Sequence, residues 1–172
     1  MATKKITVVI AQSPGKNPVK RQLEESIAAA LLMEPQVDVS LVPHLYDLTA
    51  DHTGMLFLKS VRGDMVVLSW LFPRAARWIL DRNLVKGQEG VSLLKPAGDE
   101  EEDDDDLDEA ESASAPDAER PGAVGAWDVP NRKVYCLDLR DHASPDIYIE
   151  EVRRIAREGA VQTVDLMGWI NG

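Results

Sequence analysis

The chain has 172 residues, a net charge of −11 and a single cysteine. That length suits one domain carrying an insertion, and no apolar run approaches the roughly 20 residues that a membrane-spanning helix needs. One thiol, Cys136, excludes an internal disulfide, a multi-cysteine zinc site and an iron–sulfur cluster held within the chain, which fits a reducing cytoplasm.

The charge is local. Thirteen acids and one arginine fall within residues 97–120, a net of −12 against −11 for the whole chain, so the remainder carries +1. Its centre, Asp99–Asp106, is eight consecutive acids. Like charges at that density repel, and few apolar side chains are present to offset the entropy of ordering, so a disordered acidic insertion is expected. It divides the chain into a first part of one domain (1–95), a linker (96–126) and a second part of the same domain (127–172). Nucleic acid is not expected as a partner, because phosphate binding needs clustered cations. An acidic run suits a basic or redox protein partner, whose encounter rate long-range attraction raises.

In chain order, Ile6–Ala11 is a β-branched apolar run and predicts a buried strand, followed by a turn-rich loop, Gln12–Asn17. Asn17 and Pro18 then form a helix start, and Val19, Leu23, Ile27 and Leu31 make an apolar stripe that ends before Pro35. Val37–Val42 alternates and predicts a second strand; Pro43–Thr53 is a polar loop; Gly54–Val61 predicts a short helix. Asp64–Ser69 is the strongest strand signal, its unbroken apolar run suiting the middle of a parallel sheet covered on both faces. Pro73 opens the next helix, with Arg77 spaced to pair with Asp81, and Gly87–Leu94 reads as an extended segment on the sheet edge. Beyond the acidic segment, Lys133–Leu139 predicts a strand and Ser144-Pro145-Asp146 a helix start. Arg153, Arg154 and Arg157 should favour that helix's C-terminus, Gly159 should close it, and Val161–Leu166 should form a last strand. Alternating strands and helices imply an α/β fold, a mostly parallel sheet flanked by helices of the chelatase or flavodoxin type.

Ligands in such sheets bind beyond the carboxyl ends of the strands. Ser13, Gly15, Lys16 and Asn17, with free amides at the helix start, form a candidate anion or cofactor cradle. His44 and His52, with Asp47 and Asp51, are a candidate metal set, although their spacing matches no compact ligand motif. Arg74 and Arg77 form a candidate cationic patch beside Trp70 and Phe72, aromatics that either line a pocket or belong to the core. Cys136 lies within a strand as a small hydrophobe. Trp127 and Trp169 read as packing residues, and no nucleophile elbow, Walker loop or dinucleotide fingerprint is present.

The strand-and-loop Val8-Val-Ile-Ala-Gln-Ser-Pro14, the long helix after it, the strand Val37-Asp-Val-Ser-Leu-Val42 and the strand reaching Leu71-Phe72 resemble the repeat unit of class II sirohydrochlorin-type tetrapyrrole chelatases. Gln12 and Ser13 stand where that family carries a metal-site histidine, so the resemblance implies the fold and carries over no catalytic residue. His44-Leu-Tyr-Asp47, Gly63–Ala76, Val134–Arg140 and Asp165–Gly172 look like the N-terminal domain of certain bacterial ferredoxin-type iron–sulfur proteins. That likeness implies a leading domain before a cysteine-rich one. The function expected from the sequence is thus a non-catalytic accessory or interaction domain associated with a ferredoxin-type electron carrier. The alternatives are a divergent chelatase using His44 or His52 and a flavodoxin-like binder of a flavin or another anion.

Overall fold

The computed structural model of the protein describes residues 4–96 and 129–161. The expected acidic linker, Trp127, Trp169 and positions 162–166 of the expected last strand lie outside the described residues. Along the chain come β1 (Ile6–Ala11), α1 (Pro18–Leu32), β2 (Val37–Val42), a 3-10 turn (Leu45–Asp47) and α2 (Thr53–Ser60). They are followed by β3 (Met65–Ser69), α3 (Pro73–Arg82), β4 (Gln88–Glu89), β5 (Lys133–Asp138) and α4 (Pro145–Val161). The strands form one all-parallel sheet in the order β2-β1-β3-β5-β4. This is the expected α/β architecture. β5 enters the sheet between β3 and β4, so residues on both sides of the acidic segment share the sheet.

Side-chain alternation divides the core. Val8, Ile10, Val66, Leu68, Tyr135 and Leu137 face α1 and α4, whereas Val9, Ala11, Met65, Val67 and Val134 face α2 and α3. All five residues of β3 are buried, as its unbroken apolar run requires. The Gly87–Leu94 segment reaches the sheet through β4 and then passes over Tyr135. A Cβ on Gly90 would lie 2.4 Å from the Tyr135 ring, so only glycine permits that approach.

Three local expectations are corrected. α4 continues through Gly159 to Val161, so the glycine does not close the helix, and the first residue of the expected last strand is helical. Two of the three α4 arginines are taken by carboxylates, Arg153 reaching Glu34 at 2.6 Å and Arg154 holding both Glu151 and Glu158, while Arg157 donates to the Arg153 carbonyl one turn back. Arg77 does not take Asp81, which pairs with Lys86 at 3.2 Å; Arg77 reaches across the sheet edge to the Gly87 carbonyl and to Glu89. Of these pairs, Arg153–Glu34 joins two helices distant in sequence, whereas Arg154 and Asp81 take partners within five residues.

Glu151 fastens the segment after β4 to α4. Its carboxylate, 5% exposed, accepts hydrogen bonds from the Ser92 hydroxyl, the Leu93 amide and Arg154. Burial alone would raise this carboxyl, but the bonds from Arg154, Leu93 and Ser92 outweigh it and hold the group below its ordinary value of 4.5. A depressed folded-state value contributes stability above the unfolded value, and that stability is lost as pH falls through the folded value. Glu151→Gln is therefore expected to cost about 1.5 kcal/mol near neutrality and to flatten the fall of stability below pH ~4.5, measured by urea melts across pH. An unchanged acid slope would remove Glu151 from the account.

Candidate functional site

The sheet's order reverses between β1 and β3. β1 leads by way of α1 to β2 on one side, and β3 leads by way of α3 to the other half. A crevice outside the carboxyl ends of the strands is expected at such a point. A cleft of about 660 Å³ opens there, between the first turns of α1 and the loop that enters α4. Leu23, Trp70 and Leu139 give it an apolar wall, and Lys20, Arg140 and His142 give it polar groups.

Glu24 fixes the Trp70 side of this wall. Its carboxylate is buried, and one oxygen, Oε1, accepts both the Ser13 amide at 2.6 Å and the Trp70 indole Nε1–H at 2.7 Å. The Lys20 ammonium stands 4.6 Å from the centre of the Trp70 ring, a cation–π contact. One buried carboxylate thus ties the β1–α1 loop and the first half of α1 to the residue that follows β3.

The opposite wall is built on Asp138 and Tyr148. Asp138, the last residue of β5, is buried and accepts the Arg140 amide and guanidinium, with Nε–Oδ1 at 2.9 Å. That hydrogen bond is the main cause that raises the Arg140 pKa, against burial, so its charge is permanent. The fully buried Tyr148 hydroxyl donates to the Asp138 carbonyl at 2.8 Å and accepts the His142 amide at 3.0 Å, and burial pushes its pKa up to about 12. These bonds set the shape of the 139–143 loop. His142 Nε2 is enclosed without a hydrogen-bond partner among the described residues.

Electrostatically the cleft is one-sided. Lys20 and Arg140 line it and no aspartate or glutamate does, in a chain whose net charge is −11. Two long helices, α1 and α4, begin at its rim, and their N-terminal dipole ends add positive potential. Such a site favours a small ligand with an apolar body and an anionic group.

The residues expected from sequence divide between places. Asn17 lines the cleft, but its Oδ1 caps α1 by accepting the amides of Val19 at 3.0 Å and Lys20 at 3.5 Å. Asn17 thus takes two amides of the helix start, and Glu24 takes that of Ser13. Gly15 turns the loop with φ +88, a backbone only glycine adopts without strain. Ser13, Gly15 and Lys16 do not line the cleft, and Arg74 lies by α3, against the opposite face of the sheet. Of the two aromatics, Trp70 is half-buried in the cleft wall, whereas Phe72 is exposed.

His44 and His52 have local roles, each capping the short helical element that follows it. His44 Nδ1 accepts the Tyr46 amide at 3.5 Å, and His52 Nδ1 accepts the Gly54 amide at 2.9 Å. Among the described residues, no three His, Cys, Asp or Glu side chains come together in a metal-binding group. Cys136 is partly buried in β5, where burial pushes its thiol up to about 12, far from a reactive thiolate.

Sequence reasoning missed Lys20, Glu24, Leu139, Arg140 and His142. The available signal was the Ser144-Pro145 helix start, which marks the preceding residues as a loop beyond a parallel strand's carboxyl end. No protein-family model, curated protein or solved structure matches this chain. Among the described residues, no helix is long and apolar enough to cross a membrane.

Proposed function

We propose that this chain is a non-catalytic binding domain that holds a small anion with a flat apolar body in the Trp70 cleft. The observation that carries the reading is the lining itself: an indole wall, Lys20, an Arg140 held by the Asp138 behind it, two helix N-termini and no carboxylate among the lining residues. This is the anion- or flavin-binding alternative, moved from the β1–α1 loop to the crevice beside it. The chelatase alternative draws no support from the site, since Gln12 and Ser13 hold the place of the family's histidine and both loop histidines serve as caps.

The charge of residues 97–120 favours a second element of the proposal, association with a basic or redox protein in a reducing cytoplasm. The domain would then serve as an accessory to an electron carrier and present a bound ligand to it.

Flavin mononucleotide, a planar ring system bearing phosphate, is the probe that tests the cleft. The full chain is expected to bind it at low salt with quenching of tryptophan fluorescence. Lys20→Glu should weaken binding about tenfold or more, equivalent to about 1.4 kcal/mol. Lys16→Ala should leave it unchanged, because Lys16 lies outside the cleft. Failure of the unmutated chain to bind the probe, or equal effects of the two substitutions, overturns the reading.

A further inference from the structure

α3 presents a second surface, against the face of the sheet opposite the cleft. Phe72 and Trp78 are 67% and 59% exposed there, two large aromatics that burial would ordinarily claim. Cations frame both. The Arg140 guanidinium lies 4.0 Å from the Phe72 ring centre, and that of Arg82 lies 5.3 Å from the Trp78 ring centre. Arg74 is exposed between the two rings in sequence, and Arg77 shares its charge with Glu89 at 3.9 Å. Glu89 is the one acid lining the groove beside α3 and it shares Arg77, while Asp138 offsets Arg140, which leaves Arg74 and Arg82 as the further cations of this face. Guanidinium groups stacked on aromatic rings keep donors along their edges, which suits carboxylates.

The chain carries a complement of opposite sign. Asp99–Asp106 is eight consecutive acids and begins three residues after Pro96, the last residue described before the acidic segment. An extended chain spans at most about 3.3–3.6 Å per residue, so the run stays within about 10–36 Å of Pro96. The chain passes the arginines of α3 at Gly87 and Glu89, then crosses the sheet edge to α4, where Glu151 holds Ser92 and Leu93, so the acidic run has to return around that edge to reach α3. A ligand tethered at that range has an effective concentration of about millimolar, enough for a weak contact to be occupied.

The geometry points to docking of the acidic run Asp99–Asp106, in cis, on the arginine-framed Phe72 and Trp78 face of α3. A basic partner recruited by the run then has to displace this internal contact, and an acidic partner competes for the same face.

A spin label on the full chain tests the contact. Ser112→Cys places the label six residues beyond Asp106. Cys136→Ala in the same chain removes the partly buried native thiol, so that only position 112 is labelled. At about 20 mM salt the Trp78 indole N–H resonance is expected to lose most of its intensity, and to regain it at about 500 mM salt, where screening shortens to a few ångströms. Arg74→Glu with Arg82→Glu should restore the signal even at low salt. Mixing spin-labelled chains with isotope-labelled chains that carry no spin label should leave it intact. Three results overturn the proposal: an undiminished Trp78 signal at low salt, the same loss in the double glutamate variant, or the same loss in the mixture, which would place the contact between copies.

Discussion

Replacing Glu24 with leucine is expected to lower stability by about 3 kcal/mol, because it leaves two part-buried donors, the Ser13 amide and the Trp70 indole, without an acceptor at about 1–3 kcal/mol each. In a domain of this size the melting temperature should fall by about 10 °C. Glu24→Gln separates the cause. Both bonds end on the same oxygen, so a glutamine carbonyl can accept them and the loss should shrink to about 1 kcal/mol. The Trp70 near-ultraviolet circular dichroism should persist in the glutamine variant and collapse in the leucine variant. Equal losses in the two variants would mean that charge, and not the shared acceptor, holds this wall. The experiment also bears on binding, since the side chain that orients the indole never lines the cleft.

Arg132→Met is expected to cost a similar amount, about 3 kcal/mol, at the other end of the sheet. Arg132 is buried, and its guanidinium donates to the Lys86 carbonyl at 2.7 Å and to the Val61 carbonyl. It thereby joins the connections that follow α2 and α3 to the start of β5. Burial pushes its pKa down and Asp64 opposes that shift; the same Asp64 also accepts the Lys133 amide and pairs with Lys4. Methionine fills much of the volume but strands two carbonyls. Urea melts give the size of the loss, and amide exchange gives its place: the Gln88 and Gly90 amides, bonded to the Arg132 and Val134 carbonyls, should lose protection first. A loss below about 1 kcal/mol, or uniform deprotection, would show that the guanidinium is dispensable.

What could be read in advance follows from the range of the forces involved. β3 was legible because four consecutive apolar residues, Met65–Leu68, describe a strand covered on both faces whatever its neighbours are. The start of α1 was legible because Asn17 and Pro18 act within one turn. Strand order was not, because nothing local in Lys133–Asp138 specifies that it pairs with β3 on one side and β4 on the other. The site suffered most from this. Lys20 and Arg140 meet only because parallel strands bring every carboxyl end to one edge of the sheet. The Arg77–Asp81 spacing is a true local preference of a few tenths of a kcal/mol, and Gly87 and Glu89 outweighed it; α4 runs past Gly159 at a cost of about 1 kcal/mol.

The place of β5 has a consequence for synthesis on the ribosome. The left half of the sheet and its helices emerge as a continuous block, ending with β3 and α3, but β3 keeps one side bare until the polypeptide beyond the acidic stretch has been made. During that interval an apolar ribbon offers unsatisfied amides and carbonyls to any passing strand. A dense patch of negative charge is the next sequence to leave the exit tunnel, so nascent chains repel one another at the moment when mispairing between them would do most harm.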